Sequence, residues 1–151
     1  MERGGVWSAA MRDMTRSEAY AFLAEGTRTG KLAVTRRDGR PHVTPIWFVI
    51  DGADVVFTTW HDSVKARALR REGRAAMVVD DQAPPYSFVM VEGTVQLSAA
   101  ADDLVRFATM IGGRYMGSDR AEEFGRRNGV EGELLVRLLP ERIVAKEAVS
   151  E

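Results

Sequence analysis

The chain has 151 residues and a formal charge of −1, from 21 basic and 22 acidic side chains, which allows one domain of ordinary size and excludes a surface built throughout to hold nucleic acid or anionic membrane. Hydrophobic residues make up 45% and charged residues 28%, the balance of a globular domain rather than a disordered or fibrous chain. There is no cysteine and His42 and His61 are the only histidines, so disulfides, thiolate nucleophiles and Cys- or multi-His metal sites are excluded, and no G-x-S-x-G segment marks a hydrolase nucleophile. No apolar run approaches the roughly 18 to 20 residues of a membrane span. Met1 to Met14 carries Glu2, Arg3, Arg12 and Asp13 without a signal-peptide core, so a cytoplasmic protein is expected, with residues 1–14 as an N-terminal extension and 15–151 as the domain.

Thr15-Arg16-Ser17-Glu18 is a capping box, which starts a helix whose inner face is Ala19, Phe22 and Leu23. Lys31 to Arg36 alternates as a half-buried strand does, and Asp38-Gly39 supplies the positive φ values of a hairpin turn. His42 to Ile50 reads as the next strand, Asp51-Gly52 as a second turn and Asp54 to Thr59 as a third strand. Pro45 cannot donate to a ladder, so its strand is expected at an edge, bulged, or beside something other than a strand.

Asp62 or Ser63 caps a short helix that ends at Gly73. Ala75 to Val79 and Ser87 to Leu97 are the next two strands, and Asp102 and Asp103 open a helix carrying Leu104, Phe107 and Ile111. The glycine-rich stretch 112–132 reads as partly helical and mobile, Glu133 to Leu139 as the sixth strand, and Pro140 as its end before Ile143 to Ala145. Six strands in hairpin order with peripheral helices predict a mostly β fold, a closed or nearly closed antiparallel barrel. Strands such as Ile46 to Ile50 and Phe88 to Val91 are apolar on both faces. Helices or a second copy must cover the outer one, and a homodimer is expected.

The chemistry concentrates between Thr58 and Leu69. A strand ends in two hydroxyls, and a helix begins with Ser63, Lys65 and Arg67. Free N–H groups and a positive dipole end beside a lysine suit a phosphate or carboxylate. Arg67, Arg70, Arg71 and Arg74 form a basic stripe at helical spacing, and His61 to Arg74 carries five basic and two acidic residues, a local +3 (5 − 2). Tyr86 and Tyr115 are candidate proton donors that no spacing singles out.

Three motifs, in order, carry a family resemblance: Gly39-Arg40-Pro41-His42-Val43-Thr44-Pro45-Ile46-Trp47-Phe48, the Ser63-x-Lys65-x-Arg67-x-Leu69 helix, and Val91-Glu92-Gly93-Thr94-Val95. From about Thr15 to Leu139 the chain resembles the pyridoxamine 5'-phosphate oxidase-like superfamily, and within it an actinobacterial branch of deazaflavin (coenzyme F420)-dependent enzymes. The resemblance implies a six-stranded split β-barrel of the FMN-binding type, a homodimer with a flavin-like ring in each of two grooves between the subunits. It sets Thr44, Pro45, Ile46 and Trp47 against the tricyclic ring, Thr58 and Thr59 near its phosphate or side chain, and Ser63, Lys65 and Arg67 on the anion. Val64 stands where the oxidase branch commonly has arginine, and Phe88 where it has glutamine; both weaken the oxidase activity and leave the cofactor open.

The implied activity is hydride transfer from reduced F420 to a small electrophilic acceptor such as an enone, quinone or tetrapyrrole. An FMN enzyme of the oxidase type and a non-catalytic flavin or haem-binding protein are the alternatives. The F420 tail carries a phosphodiester and an oligoglutamate chain, for which the arginine stripe with Arg36, Arg37 and Arg40 offers a cationic track. The partner is then a small-molecule substrate, with neither nucleic acid nor membrane involved.

Overall fold

The computed structural model describes residues 11–150. The capping box closes as the sequence predicts. The Thr15 hydroxyl accepts from the Glu18 N–H at 3.1 Å, the Glu18 carboxylate accepts from the Thr15 N–H at 2.8 Å, and helix α1 runs Arg16–Ala24. The strands are β1 (Arg12–Asp13), β2 (Gly30–Thr35), β3 (Pro41–Ile46), β4 (Val49–Asp51), β5 (Asp54–Trp60), β6 (Arg74–Asp80), β7 (Phe88–Ser98) and β8 (Glu133–Glu147). Helix α2 (Val64–Glu72) lies between β5 and β6, and α3 (Ala101–Met116) and α4 (Ala121–Asn128) lie between β7 and β8.

Two expectations are corrected. The mostly β split-barrel fold is as expected, but eight strands rather than six occur among the described residues, and they form one open antiparallel sheet in the order β3-β2-β6-β7-β8-β5-β4, with β1 on β8, rather than a closed or nearly closed one. The 1–14 extension thus joins the sheet at its end; residues 1–10 lie outside the described residues.

The predicted strand His42 to Ile50 is broken at Trp47-Phe48, and its halves stand at opposite ends of the sheet. The step from Ile46 to Val49 covers at most about 11 Å. The sheet therefore curls until its first and last strands meet at a seam with no ladder between them. Pro45 sits where its missing N–H costs nothing, on the edge strand β3 opposite Lys31. Phe48 is fully buried at the seam, so its backbone polar groups need partners that no strand supplies. Helix α3 provides them: the Phe48 N–H donates to Tyr115 Oη at 3.4 Å, and its carbonyl accepts from Arg114 Nη1 at 2.8 Å. The same guanidinium donates to the carbonyls of Leu23 at 2.8 Å and Gly26 at 2.9 Å, satisfying acceptors orphaned at the end of α1.

Alternation along β5 shows how both faces are buried. Val55 and Phe57 join the core inside the curl with Leu23, Leu32, Phe48, Leu69 and Met77, while Val56 joins Leu104, Phe107 and Ile111 of α3 on the outside. The stretch 112–132 is partly helical, as the sequence predicts. Helix α3 continues to Met116, a 3-10 turn spans Ser118–Arg120, and α4 follows. Its glycines are points of close packing, since a Cβ at Gly112 would strike Phe124 and one at Gly125 would strike Thr109. Pro140 does not end β8. The strand passes through it to Glu147, with a register shift opposite Glu92 and Gly93, and a Cβ at Gly93 would fall on the Leu139 carbonyl oxygen.

Replacing Arg114 with Met leaves three carbonyls from two elements without their donor, and a loss of about 2–4 kcal/mol is expected in urea denaturation. Arg114→Lys, which keeps the charge but cannot span three acceptors, should fall between. A loss below about 0.5 kcal/mol for Arg114→Met, the scale of an ordinary surface substitution, would contradict the seam's dependence on this residue.

Candidate functional site

A cleft of about 460 Å³ opens beside the seam, lined by the end of β3 (Pro45, Ile46, Trp47), the end of β5 (Thr58, Thr59, Trp60), the start of α2 (Ser63, Lys65), and Ile111, Asn128 and Glu133. Seven of the nine residues expected on a cofactor are in that lining. Thr44 is joined to it, because Lys65 Nζ donates to Thr44 Oγ1 at 3.2 Å. Arg67 is not: its guanidinium turns back to the Asp62 carboxylate and carbonyl, at 2.8 and 2.9 Å. A larger cleft of about 740 Å³, between the start of α1 and the end of β8, holds none of the nine.

Local chemistry explains the placement. Ser63 caps α2 by accepting from the Ala66 N–H at 3.1 Å, and its hydroxyl lies 3.0 Å from that of Thr59. This hydroxyl pair ties the end of β5 to the start of α2 and sets Lys65 in the first turn of the helix, facing β3. Gly73, in the left-handed region at φ 68°, ends the helix as predicted. Burial lowers the pKa of the Lys65 ammonium from its ordinary value, and Glu133 opposes that shift. Burial raises the Glu133 carboxyl, against the pull of Lys65 and His61. Both groups lose solvation to burial; Lys65 keeps a hydrogen bond to Thr44, whereas Glu133 Oε2 is buried with no hydrogen-bond partner.

Trp47 forms one wall. Its ring stacks on Tyr115 with centroids 5.1 Å apart and planes 4° from parallel, yet it keeps about a third of its surface open (36%). Tyr115 is committed to structure. Its hydroxyl donates to the Arg28 carbonyl at 2.9 Å while accepting from Phe48, and burial raises its pKa. Tyr86 lies elsewhere, in a cleft with Lys31, Asp80 and Phe88. Neither tyrosine lines the cleft at Lys65.

The basic stripe is largely spent on neighbours. Arg70 binds the His61 carbonyl at 2.9 Å, Arg71 binds Glu72 and the Thr35 carbonyl, Arg74 pairs with Glu141, and Arg40 pairs with Asp38. The expected cationic track therefore contracts, within the cleft lining, to Lys65. Glu133 and Asn128 are the polar residues the sequence reading missed. A single acidic residue opening a strand carries no motif, and Asn128 lies in a glycine-rich stretch in which no residue was singled out.

A curled open sheet whose seam, helix start and half-buried lysine share one cleft has the architecture of a split-barrel flavin-binding protein. Residues 16–144 match the pyridoxamine 5'-phosphate oxidase family, and the chain belongs to it. Among solved structures, a conserved hypothetical protein of Mycobacterium tuberculosis superposes with a TM-score of 0.79 at 24% identity, covering 91% of this chain and 87% of that one. An F420 reductase superposes with a TM-score of 0.65 at 27% identity, covering 82% of this chain and 94% of the reductase. The haem storage protein HutZ of Vibrio cholerae shares the fold at 17% identity, with a TM-score of 0.66 over 86% of this chain and 91% of its own. None of the helices described is long and apolar enough to cross a membrane.

Proposed function

We propose that this chain is an F420-dependent oxidoreductase that reduces a small electrophilic acceptor such as an enone, a quinone or a tetrapyrrole. The observation that carries the reading is the Lys65–Thr44 contact, through which the cleft's one cation meets the strand expected to lie along the ring. The F420 reductase among the structural relatives supports it.

The residues fit such a group. A desolvated ammonium and an unpartnered carboxyl oxygen in one cleft are polar atoms that a ligand would satisfy. Lys65, with the hydroxyls of Thr58, Thr59 and Ser63, would hold the anionic tail, and Pro45, Ile46 and Trp47 would flank the ring. When bound, the deazaflavin supplies the hydride. The protein's part is orientation and exclusion of water. Trp47 is braced by Tyr115 and the seam by Arg114, so the ring wall is rigid before a ligand arrives and less ordering entropy is lost on binding.

A second copy belongs to this reading. Val43, Trp47, Trp60 and Val64 are exposed apolar residues on the elements around the cleft, and their burial against a partner would close an otherwise open site. Sedimentation equilibrium at micromolar concentration should give twice the chain mass; a monomer contradicts the dimer.

The activity reading is tested by incubating the protein with F420, FMN or haem, filtering, and recording the retained spectrum. F420 should be retained, and Lys65→Ala should weaken its binding by about 1.5–3 kcal/mol, the range of a charge-assisted hydrogen bond. Retention of FMN alone favours the oxidase-like alternative, retention of haem alone the storage alternative, and either overturns the F420 reading.

A further inference from the structure

We propose that Glu133 sets the charge selectivity of the cleft, admitting a singly charged phosphodiester in preference to a doubly charged phosphate monoester. The proposal rests on the reading of the cleft as a flavin or deazaflavin site, and it accounts for the choice between the two. Within the lining, Lys65 is the one cation and Glu133 the one anion, with the rest apolar or uncharged polar side chains. Arg67, which would have added a second cation, is neutralised by Asp62 outside the cleft. A phosphate monoester carries about −1.5 to −2 at neutral pH, whereas a diester carries −1.

A diester would be matched by Lys65. A monoester would leave its second charge facing the Glu133 carboxylate, and repulsion grows with the product of the charges in a region where burial weakens screening. The monoester could enter only with a proton, taken up by the carboxyl or by the phosphate. Burial already favours the neutral carboxyl, so Glu133 is the group placed to take that proton. The charged or titratable groups acting on it are Lys65 from α2 and His61 from the turn after β5. At the phosphate, FMN presents a monoester and F420 a diester whose oligoglutamate chain continues beyond it, so at that group the filter runs in the direction of the proposed function. It also gives the orphaned Glu133 oxygen a role that packing does not explain.

The test uses one ring with two tails: riboflavin 5'-phosphate and its methyl phosphodiester, titrated calorimetrically at pH 7.5 into the full chain and into Glu133→Gln. The intact protein should bind the diester at least tenfold more tightly. It should also take up more protons with the monoester than with the diester, read from buffers of different ionisation enthalpy. Glu133→Gln, of nearly equal shape, should tighten the monoester about tenfold, move the diester less than threefold, and lose the proton uptake. Equal affinities in the intact protein, or a preference that survives in Glu133→Gln of unchanged melting temperature, would overturn the role of Glu133. Should the variant lose thermal stability, the intact protein's own preference and proton uptake decide. If the diester preference is present but F420 is not retained, the selectivity stands and the F420 reading fails. If neither tail binds either protein, the selectivity falls, and retention of F420 alone still decides the F420 reading.

Discussion

Two residues hold this architecture open. Trp47 and Phe48 join strands at opposite ends of one sheet, so the chain can neither continue a ladder through them nor let the edges drift apart. A buried peptide unit without ladder partners is costly unless other groups supply its hydrogen bonds, and at Phe48 those groups are Arg114 and Tyr115, 66 and 67 residues downstream. Arg114 binds the end of α1 as well, so one guanidinium fixes the seam, the first helix and the third relative to one another. Trp47, on the other side of the same break, is turned outward onto Tyr115 and becomes a wall of the cleft. Closing the barrel with a continuous ladder would remove that wall.

The electrostatics of the cleft follow from what the surrounding fold consumes. Most arginines of the first hairpin and α2 are held by carboxylates or carbonyls of their own neighbourhood. Such exposed pairs contribute little to stability, of the order of 0–1 kcal/mol each, but they withdraw positive charge from the site. What remains is one lysine steered by Thr44 and one carboxyl without a partner, in a near-neutral cleft.

The parts legible in the sequence are those whose causes are local. The capping box at Thr15, the Asp-Gly turns, the Ser63 cap and the Gly73 terminus depend on residues within a few positions of one another, and each stands where the sequence puts it. Pro45 reads correctly as an edge residue because its missing donor is intrinsic. The seam was hidden because its determinants are remote: Ile46 to Ile50 has the composition of one strand, and only Arg114 and Tyr115 reveal that it is two. The segment after Gly112 was legible only as partly helical for a related reason, since glycines that weaken an isolated helix are what let α3 approach α4. Pro140 looked like a terminator because the bulge that accommodates it belongs jointly to β7 and β8. At the cleft, the family motifs located Lys65 and the Pro45-Ile46-Trp47 side, whereas the diversion of Arg67 to Asp62 and the exposure of Glu133 to the cleft arise only from packing.

The central claim is that Thr44 to Trp47 and Thr58 to Lys65 form one ligand site although they lie on separate elements. Hydrogen–deuterium exchange with and without coenzyme F420 tests it most directly. Slowed exchange in both segments together, with the cleft at the start of α1 unchanged, is the predicted result. Protection confined to one segment, or centred on residues 13–19 and 142–146, would contradict it.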